Sequence, residues 1–510
     1  MKLSELLREI PGASPLDPGD PEISAVVCDS RAAAPGRLFV AVKGAKADGH
    51  VFLGAAAAKG AAACLVERSV PAAGMVRVLV ADAEAALGLA AAAVSGHPCR
   101  GLTLVGITGT NGKTTTAYLV EHLLRSAGMT VGRLGTVSYS YPHGEEPAPL
   151  TTPDAPTLQA ALARMLREGA GAVAMEVSSH ALHRKRVEGC TFACAVFTNL
   201  TQDHLDYHGA MEAYFEAKSL LFTRYRDGAP AVVNGEDPWG RRLLETLPGK
   251  VVSYGLRTGD VRVEVRELTA RGMTGTLFYP GGEAPLTLAL AGDFNAQNAA
   301  AALAAAWALG LNMDDAARAL ANAPQVPGRL EAVPNRLGIS VYVDYAHTPD
   351  ALDRALATVA PLTRGRLLCV FGCGGDRDRG KRPFMAEAAA RWCDAVVLTA
   401  DNSRSEATEA ILDEIEAGMP KDWKIGEPMD LGKGSFLYAR IPDRGEAIRA
   451  AVAAAGAGCT VVIAGKGHET SQTIGGVKTH FDDREQARLA LSLRARTRPA
   501  ADEQAEGDRA

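Results

Sequence analysis

The sequence predicts an α/β protein built as three domains, and three observations predict it. Its 510 residues exceed what one core can hold, and a prior of about 150 residues per domain gives roughly three. Short apolar runs of strand length alternate with amphipathic stretches of helical period. Two seams interrupt that alternation: "SGHPCRG" (95–101), where a helical alanine run stops, and "NAPQVPGRLE" (322–331), both punctuated by glycine and proline. The segments expected are 1–97, 98–327 and 328–494, followed by a small, charged, aperiodic tail, 495–510, expected to be disordered.

The chain opens on "MKLSELLREI", apolar and charged at helical spacing, without the uninterrupted apolar core of a signal peptide. No stretch reaches the ~20 apolar residues of a membrane span. The first segment is expected to be a smaller α/β domain. In the middle segment, "LTLVGIT", "GAVAMEV", "CAVFTNL" and "APAVVN" alternate with amphipathic stretches, as in a mainly parallel sheet flanked by helices. The alanine run "AAAALAAAWALG" (299–310) reads as a buried helix. The third segment repeats the pattern with "SVYVDYA", "LLCVFGC", "DAVVLTA" and "CTVVIAG", a Rossmann-like α/β domain. Open parallel sheets bind ligands beyond the carboxyl ends of their strands, so function is sought just after each run.

Composition narrows the partners. With 47% hydrophobic residues, 22% charged residues and a net charge of -5, the chain reads as an ordinary globular protein with no call for a polyanion, so neither nucleic acid nor membrane is expected as partner. The nine cysteines are scattered and form no C-x-x-C pair, which fits a reduced, cytoplasmic setting. A monomer is expected.

After "LTLVGIT" comes "GTNGKTT", Gly109 to Thr115, a glycine-rich turn between a strand and a helix. A P-loop, G-x-x-x-x-G-K-[ST], surrounds phosphate with backbone N–H groups, reaches the outer phosphates with lysine and binds Mg²⁺ with the hydroxyl. Strict spacing would put glycine at Ile107, whereas Gly106 lies one residue early and the turn glycines are Gly109 and Gly112. The strand-turn-helix context and the Lys113–Thr114 pair are intact, so a nucleotide loop is expected. Glu176 closes the next strand, where a metal-binding acid would stand beside Thr114; alone it could equally be a solvated rim residue. Asn199, Asp203, His204, Asp206 and His208 crowd after another strand. Zinc is the competing metal, but no cysteine accompanies them and a phosphate loop implies a harder cation.

"GTNGKTT", "TTPD", "MEVSSHAL", "FTNLTQDHLDYHG", "YFEAKSLLF", "GDFNAQNAAAA", "GRLE", "VDYAHTPDAL", "FGCGGDRDRGKRP" and "AGKGHE", with "CDSRAAAPGRLFVAVKG" near the start, together resemble the ATP-dependent Mur ligases. The match is nearest the members that add the third peptide residue of the cell-wall precursor. The resemblance implies a UDP-sugar-binding domain (1–97), a central ATPase domain (98–327) and an amino-acid-binding domain (328–494). It implies ATP as substrate, Mg²⁺ as cofactor, and UDP-N-acetylmuramoyl-L-alanyl-D-glutamate as the acyl partner, activated as an acyl phosphate.

By resemblance, ATP is held by Gly109, Thr110, Asn111, Gly112, Lys113, Thr114 and Thr115, and by Asn295, Asn298, Arg329, Asp344 and His347. Lys113, Glu176, His204 and Lys218 carry the catalysis. The metal falls to Thr114, Glu176, His204 and Lys218, the last as an N6-carboxylysine; by pattern alone Lys218 reads as an ordinary surface lysine. Ser30, Thr151, Thr152, Ser178, Arg184 and Arg186 are carried to the sugar nucleotide and its peptide, although "HRKR" alone would read as a solvated basic patch.

For the incoming amino acid the resemblance points to Arg382, Asp401, Asn402, Ser403, Arg404, Gly465 and Glu469. Meso-diaminopimelate differs from L-lysine by a carboxylate at its far end, and a site for it needs a cation there. Arg404 supplies one, so meso-diaminopimelate is expected. In diaminopimelate-adding members the stretch reads Asp-Asn-Pro-Arg; here Ser403 replaces a proline whose fixed φ would steady the loop, and a looser loop is expected. L-lysine or another diamino acid, a folylpolyglutamate-synthetase-like ligase, and a nucleotide-dependent binding switch are the alternatives.

Overall fold

The computed structural model describes residues 1–44, 47–71, 74–269 and 272–497. It forms two compact units, the first of Met1–Val265, Gly275–Leu288 and Phe294–Ala323, the second chiefly of the chain from Pro324 onward. Three large sheets account for the alternating pattern.

The first unit holds two of them. Ala25–Val27, Arg37–Val40, Ala63–Val66 and Val76–Leu79 pair in parallel, with Ser14–Pro15 antiparallel at the edge. The helix Ala83–Val94 covers this sheet, started by the Asp82 carboxylate accepting from Ala85 N–H. In the central sheet seven parallel strands run in the order Val261–Thr269, Val251–Gly255, Ala231–Asn234, Cys194–Phe197, Thr103–Thr108, Ala172–Glu176, Val131–Leu134. Ser138–Tyr141 and Gly144–Pro147 continue it antiparallel. The inner runs are Val-, Ile- and Ala-rich because both faces of a parallel sheet are covered. The expected alanine helix runs Asp293–Ala308 and buries twelve of its residues.

Register decides where the chemistry can gather. Thr103–Thr108 lies between two neighbours, with Ile107 opposite Glu176 and Thr108 opposite Phe197. The glycine loop, Glu176 and the "TNL" turn therefore leave the sheet side by side, although far apart in sequence.

The second unit carries a seven-stranded sheet in the order Glu331–Ala332, Ser340–Asp344, Thr460–Ala464, Leu367–Phe371, Ala395–Leu398, Leu437–Arg440, Lys424–Ile425. Every pairing is parallel except that of Glu331–Ala332 with its neighbour. Thr460–Ala464 slots between Ser340–Asp344 and Leu367–Phe371, creating a crevice at the carboxyl ends where strand order reverses. Beneath it Arg444 and Asp483, both with fully buried side chains, form an ion pair of 2.7 Å. Arg444 also donates to Ala400 O at 3.2 Å and Ala464 O at 2.9 Å, tying two strand ends together. Asp483→Asn, which strands a buried guanidinium, should cost about 3–5 kcal/mol, measured by denaturant unfolding; a loss within experimental error would contradict this account.

The last helix, Asp483–Thr497, passes the expected boundary at 494, and the rest of the expected tail, 498–510, lies outside the described residues. All nine cysteines are free thiols. Among the described residues no helix is long and apolar enough to cross a membrane.

Candidate functional site

In the first unit the helix Lys113–Ser126 starts from Gly112, at φ 85°. Gly109 has φ 145°, and a Cβ there would overlap Thr198 Oγ1, so the loop needs glycine for both conformation and space. Gly109→Ala should strain the loop by about 1–3 kcal/mol and weaken ADP binding in calorimetry; unchanged affinity would refute the packing argument. The loop is pinned from the next strand: Thr198 Oγ1 donates to Asn111 O at 2.6 Å, and Asn111 N–H donates to Asn199 Oδ1 at 3.0 Å. Thr110 Oγ1 bonds Thr201 O at 3.2 Å. Asn298, hydrogen-bonded to Asn295 at 3.0 Å, packs against Gly112 from the alanine helix. Thr115 is buried in the first turn.

Two lysines meet at this loop. Lys113 Nζ donates to Gly109 O at 2.9 Å and Thr110 O at 2.7 Å. Lys218 Nζ donates to the same Gly109 O at 2.7 Å and lies 4.5 Å from the Tyr214 ring centre. Lys218 is only 1% exposed, unlike the surface residue its pattern alone suggests. Burial, with help from the Lys113 charge, pushes its ammonium well below the usual lysine range.

Glu176 is no rim residue either, being 1% exposed. It accepts from Thr114 Oγ1 at 3.0 Å, Thr136 N–H at 2.8 Å and Thr136 Oγ1 at 3.0 Å. His204 adopts φ 53° and has Asp203 3.5 Å from Nε2; burial lowers its pKa. His180 and Tyr207 stack 4.2 Å apart and His180 meets His204 at 4.8 Å. Burial pushes His180 down to about 4. Among the described residues no three His, Cys, Asp or Glu side chains gather as a metal-holding group. The Thr114 hydroxyl and the Glu176 carboxylate set two oxygen atoms 3.0 Å apart, the kind of ligand a hard cation takes.

The residues carried to the sugar nucleotide fall in part beside Glu176. Thr151 Oγ1 lies 3.0 Å from Thr136 Oγ1, Thr152 Oγ1 donates to Glu176 O at 2.8 Å, and Ser178 caps the helix Ser179–His183. Arg186 donates to Thr152 O at 3.0 Å. Arg184 instead pairs with Glu84 at 2.6 Å and donates to Lys43 O at 2.8 Å, and Lys185 pairs with Asp82, so the two middle residues of "HRKR" are ion-paired. Ser30 begins the short turn Ser30–Ala32 beyond the strand Ala25–Val27.

The second unit gathers two groups. Arg329 lies over the Tyr345 ring at 5.0 Å and His347 meets that ring at 4.7 Å, while Asp344 accepts from Leu330 N–H at 2.7 Å and Ala346 N–H at 2.8 Å. In the crevice, Asn402 Nδ2 donates to Glu469 Oε2 at 2.9 Å. Lys466, fully buried, donates to Glu469 Oε2 at 2.9 Å and lies 3.8 Å from Asp401. Burial alone would raise Glu469, yet the Lys466 charge and these hydrogen bonds hold it below the usual range. Gly465 follows the strand Thr460–Ala464 directly. Arg404 Nη1 donates to Gly375 O at 2.6 Å. Arg382 is held by Glu406 at 2.9 Å and Glu414 at 2.7 Å, its Nε buried without a hydrogen-bond partner.

Sequence reasoning passed over Thr136, Thr198, Tyr214 and Lys466 as site residues. Thr198 and Lys466 were findable, since each directly follows an apolar run or sits between two glycines; Thr136 and Tyr214 come from a loop and a helix whose pattern marks only packing.

Comparisons with known proteins identify the family. Three family models match: Mur ligase family, catalytic domain, over residues 22–95; Mur ligase middle domain, over 107–306; and Mur ligase, glutamate ligase domain, over 328–467. The chain is 46% identical over 502 residues to the UDP-N-acetylmuramoyl-L-alanyl-D-glutamate--2,6-diaminopimelate ligase of Geobacter sulfurreducens, covering 96% of this chain and 99% of that one. Identity to the ligase of the same name from Geobacillus kaustophilus is 45%, over 97% and 100%. A solved structure of a ligase of that name superposes with a TM-score of 0.68 at 34% identity, covering 93% and 95%. The chain, an α/β protein with a glycine loop between strand and helix in its central sheet, belongs to the Mur ligase family.

Proposed function

We propose that this protein is an ATP-dependent ligase that joins meso-diaminopimelate to UDP-N-acetylmuramoyl-L-alanyl-D-glutamate in peptidoglycan precursor synthesis, acting as a cytoplasmic monomer. The observation that carries it is the convergence of Lys113, Thr114, Glu176 and buried Lys218 on one glycine loop. Residues 1–97 hold the uridine nucleotide, 98–327 the ATP, and 328–494 the amino acid.

A carboxylate does not condense with an amine in water, because its oxygen is a poor leaving group. Transfer of the γ-phosphoryl of ATP to the D-glutamyl carboxylate converts that oxygen into phosphate, and ADP departs. The amine of the amino acid then attacks the acyl carbon, a tetrahedral intermediate forms, and phosphate leaves as the amide closes. Lys113 and the N–H groups of Gly109–Thr115 stabilise the transferring phosphoryl charge. Thr114, Glu176 and His204 are the residues that would hold Mg²⁺, which offsets the repulsion between the two anions. Lys218, whose ammonium is disfavoured by burial, is the residue that would take up CO₂ as a carbamate, its amine nitrogen forming the N–C bond and releasing a proton, so that an anionic oxygen ligand stands where an ammonium would. In the crevice, Glu469 and Asn402 receive the amino group, and Arg404 receives the far carboxylate through its paired donors.

The test is phosphate release with ATP, Mg²⁺ and the UDP-linked dipeptide, comparing meso-diaminopimelate, L-lysine and no amino acid. Release with meso-diaminopimelate alone is the expected result. Release with lysine would overturn the specificity, and release without any amino acid would favour a nucleotide switch.

A further inference from the structure

The turn after the strand Ala395–Leu398 carries Asp401 to Arg404 and leads to the helix Thr408–Glu416. A chain without proline at position 403 is expected to be looser there, but Ser403 is 1% exposed and its Oγ lies 2.7 Å from Thr408 Oγ1. Ser403 O also accepts from Glu406 N–H at 3.0 Å. The hydroxyl pair thus closes the turn onto the first residue of the following helix.

Arg404 comes next, at φ 52°, a left-handed conformation that costs an arginine free energy unless its surroundings enforce it. Its N–H donates to Thr473 O at 2.9 Å and its carbonyl accepts from Gly476 N–H at 3.1 Å, both in the hairpin formed by Ser471–Ile474 and Val477–His480. On the other side, Ser405 Oγ donates to Asp376 Oδ1 at 2.6 Å. The hairpin and Asp376 restrain Arg404 and the residue after it. The side-chain restraint on the residue before it is the Ser403–Thr408 pair.

We infer that the Ser403–Thr408 hydroxyl pair is a positioning device for amino-acid selection, fixing the left-handed turn that presents the Arg404 guanidinium to the far carboxylate of a diamino acid. This rests on the role proposed above for Arg404. A merely space-filling Ser403 would be replaceable by alanine without effect on selection, whereas a hydroxyl pair needs a hydroxyl at both positions.

The test is steady-state kinetics of the full chain and of Ser403→Ala, Thr408→Val, Thr408→Ser and the Ser403→Ala/Thr408→Val double variant, with thermal melting alongside. Loss of one buried hydrogen bond should raise KM for meso-diaminopimelate about five- to tenfold in each single variant lacking a hydroxyl, with kcat and KM for ATP within about twofold. Thr408→Ser should behave as wild type, and the double variant should be no worse than either single, because both remove the same contact. Unchanged KM for meso-diaminopimelate in Ser403→Ala, or KM values for all substrates rising together with a lowered melting temperature, would overturn the inference alone. Wild-type turnover with L-lysine and not with meso-diaminopimelate would overturn the substrate reading and the inference with it.

Discussion

Lys113→Ala is expected to reduce phosphate release by about a thousandfold, the loss typical of removing a principal charge-stabilising donor, while circular dichroism and melting stay near wild type. The fold should survive because the Lys113 ammonium donates to two carbonyls of its own loop, Gly109 O and Thr110 O, while the loop is held independently by Thr198 and Asn199. The variant carries a second readout. Lys113 helps depress the Lys218 ammonium, so removing it should let the Lys218 pKa rise, with burial still holding it below the ordinary lysine value. Near-normal ligation by Lys113→Ala would remove the central assignment of this site.

Arg404→Ala is expected to raise KM for meso-diaminopimelate by about tenfold to a hundredfold, the worth of a charge-assisted hydrogen bond, leaving KM for ATP unchanged. Alanine is as strained as arginine at φ 52°, so the comparison isolates the guanidinium. It also frees Gly375 O, which accepts from Arg404 Nη1 at 2.6 Å. If all substrates suffered equally, the change would be read as collapse of the loop, and the selective role would fall.

Much of this was legible in the sequence because the strands are continuous apolar runs whose ends carry the polar groups. "LTLVGIT", "GAVAMEV" and "CAVFTNL" became adjacent strands, so loop, acid and "TNL" turn converge as strand order demands. What pattern could not show was burial of charge. Helical spacing places Lys218 on an amphipathic helix and stops there; its depth beneath Gly109 follows from how the helix Met211–Thr223 lies against the central strand. Arg184 and Arg382 were legible as cations, but not their partners Glu84, Glu406 and Glu414, because long-range ion pairing leaves no local period. Pattern likewise did not show the partner of Ser403, the Thr408 hydroxyl five places on.

The Arg444–Asp483 pair bears on how this enzyme could change over evolutionary time. One guanidinium, wholly enclosed, holds the ends of the two strands from which Asp401–Arg404 and Gly465–Glu469 depart. The turns above are mounted on a frame that does not depend on their own side chains for its shape. Substitutions at positions such as 403 and 404 can therefore be sampled by drift, or by a designer seeking a ligase for another diamino acid, without first unmaking the domain.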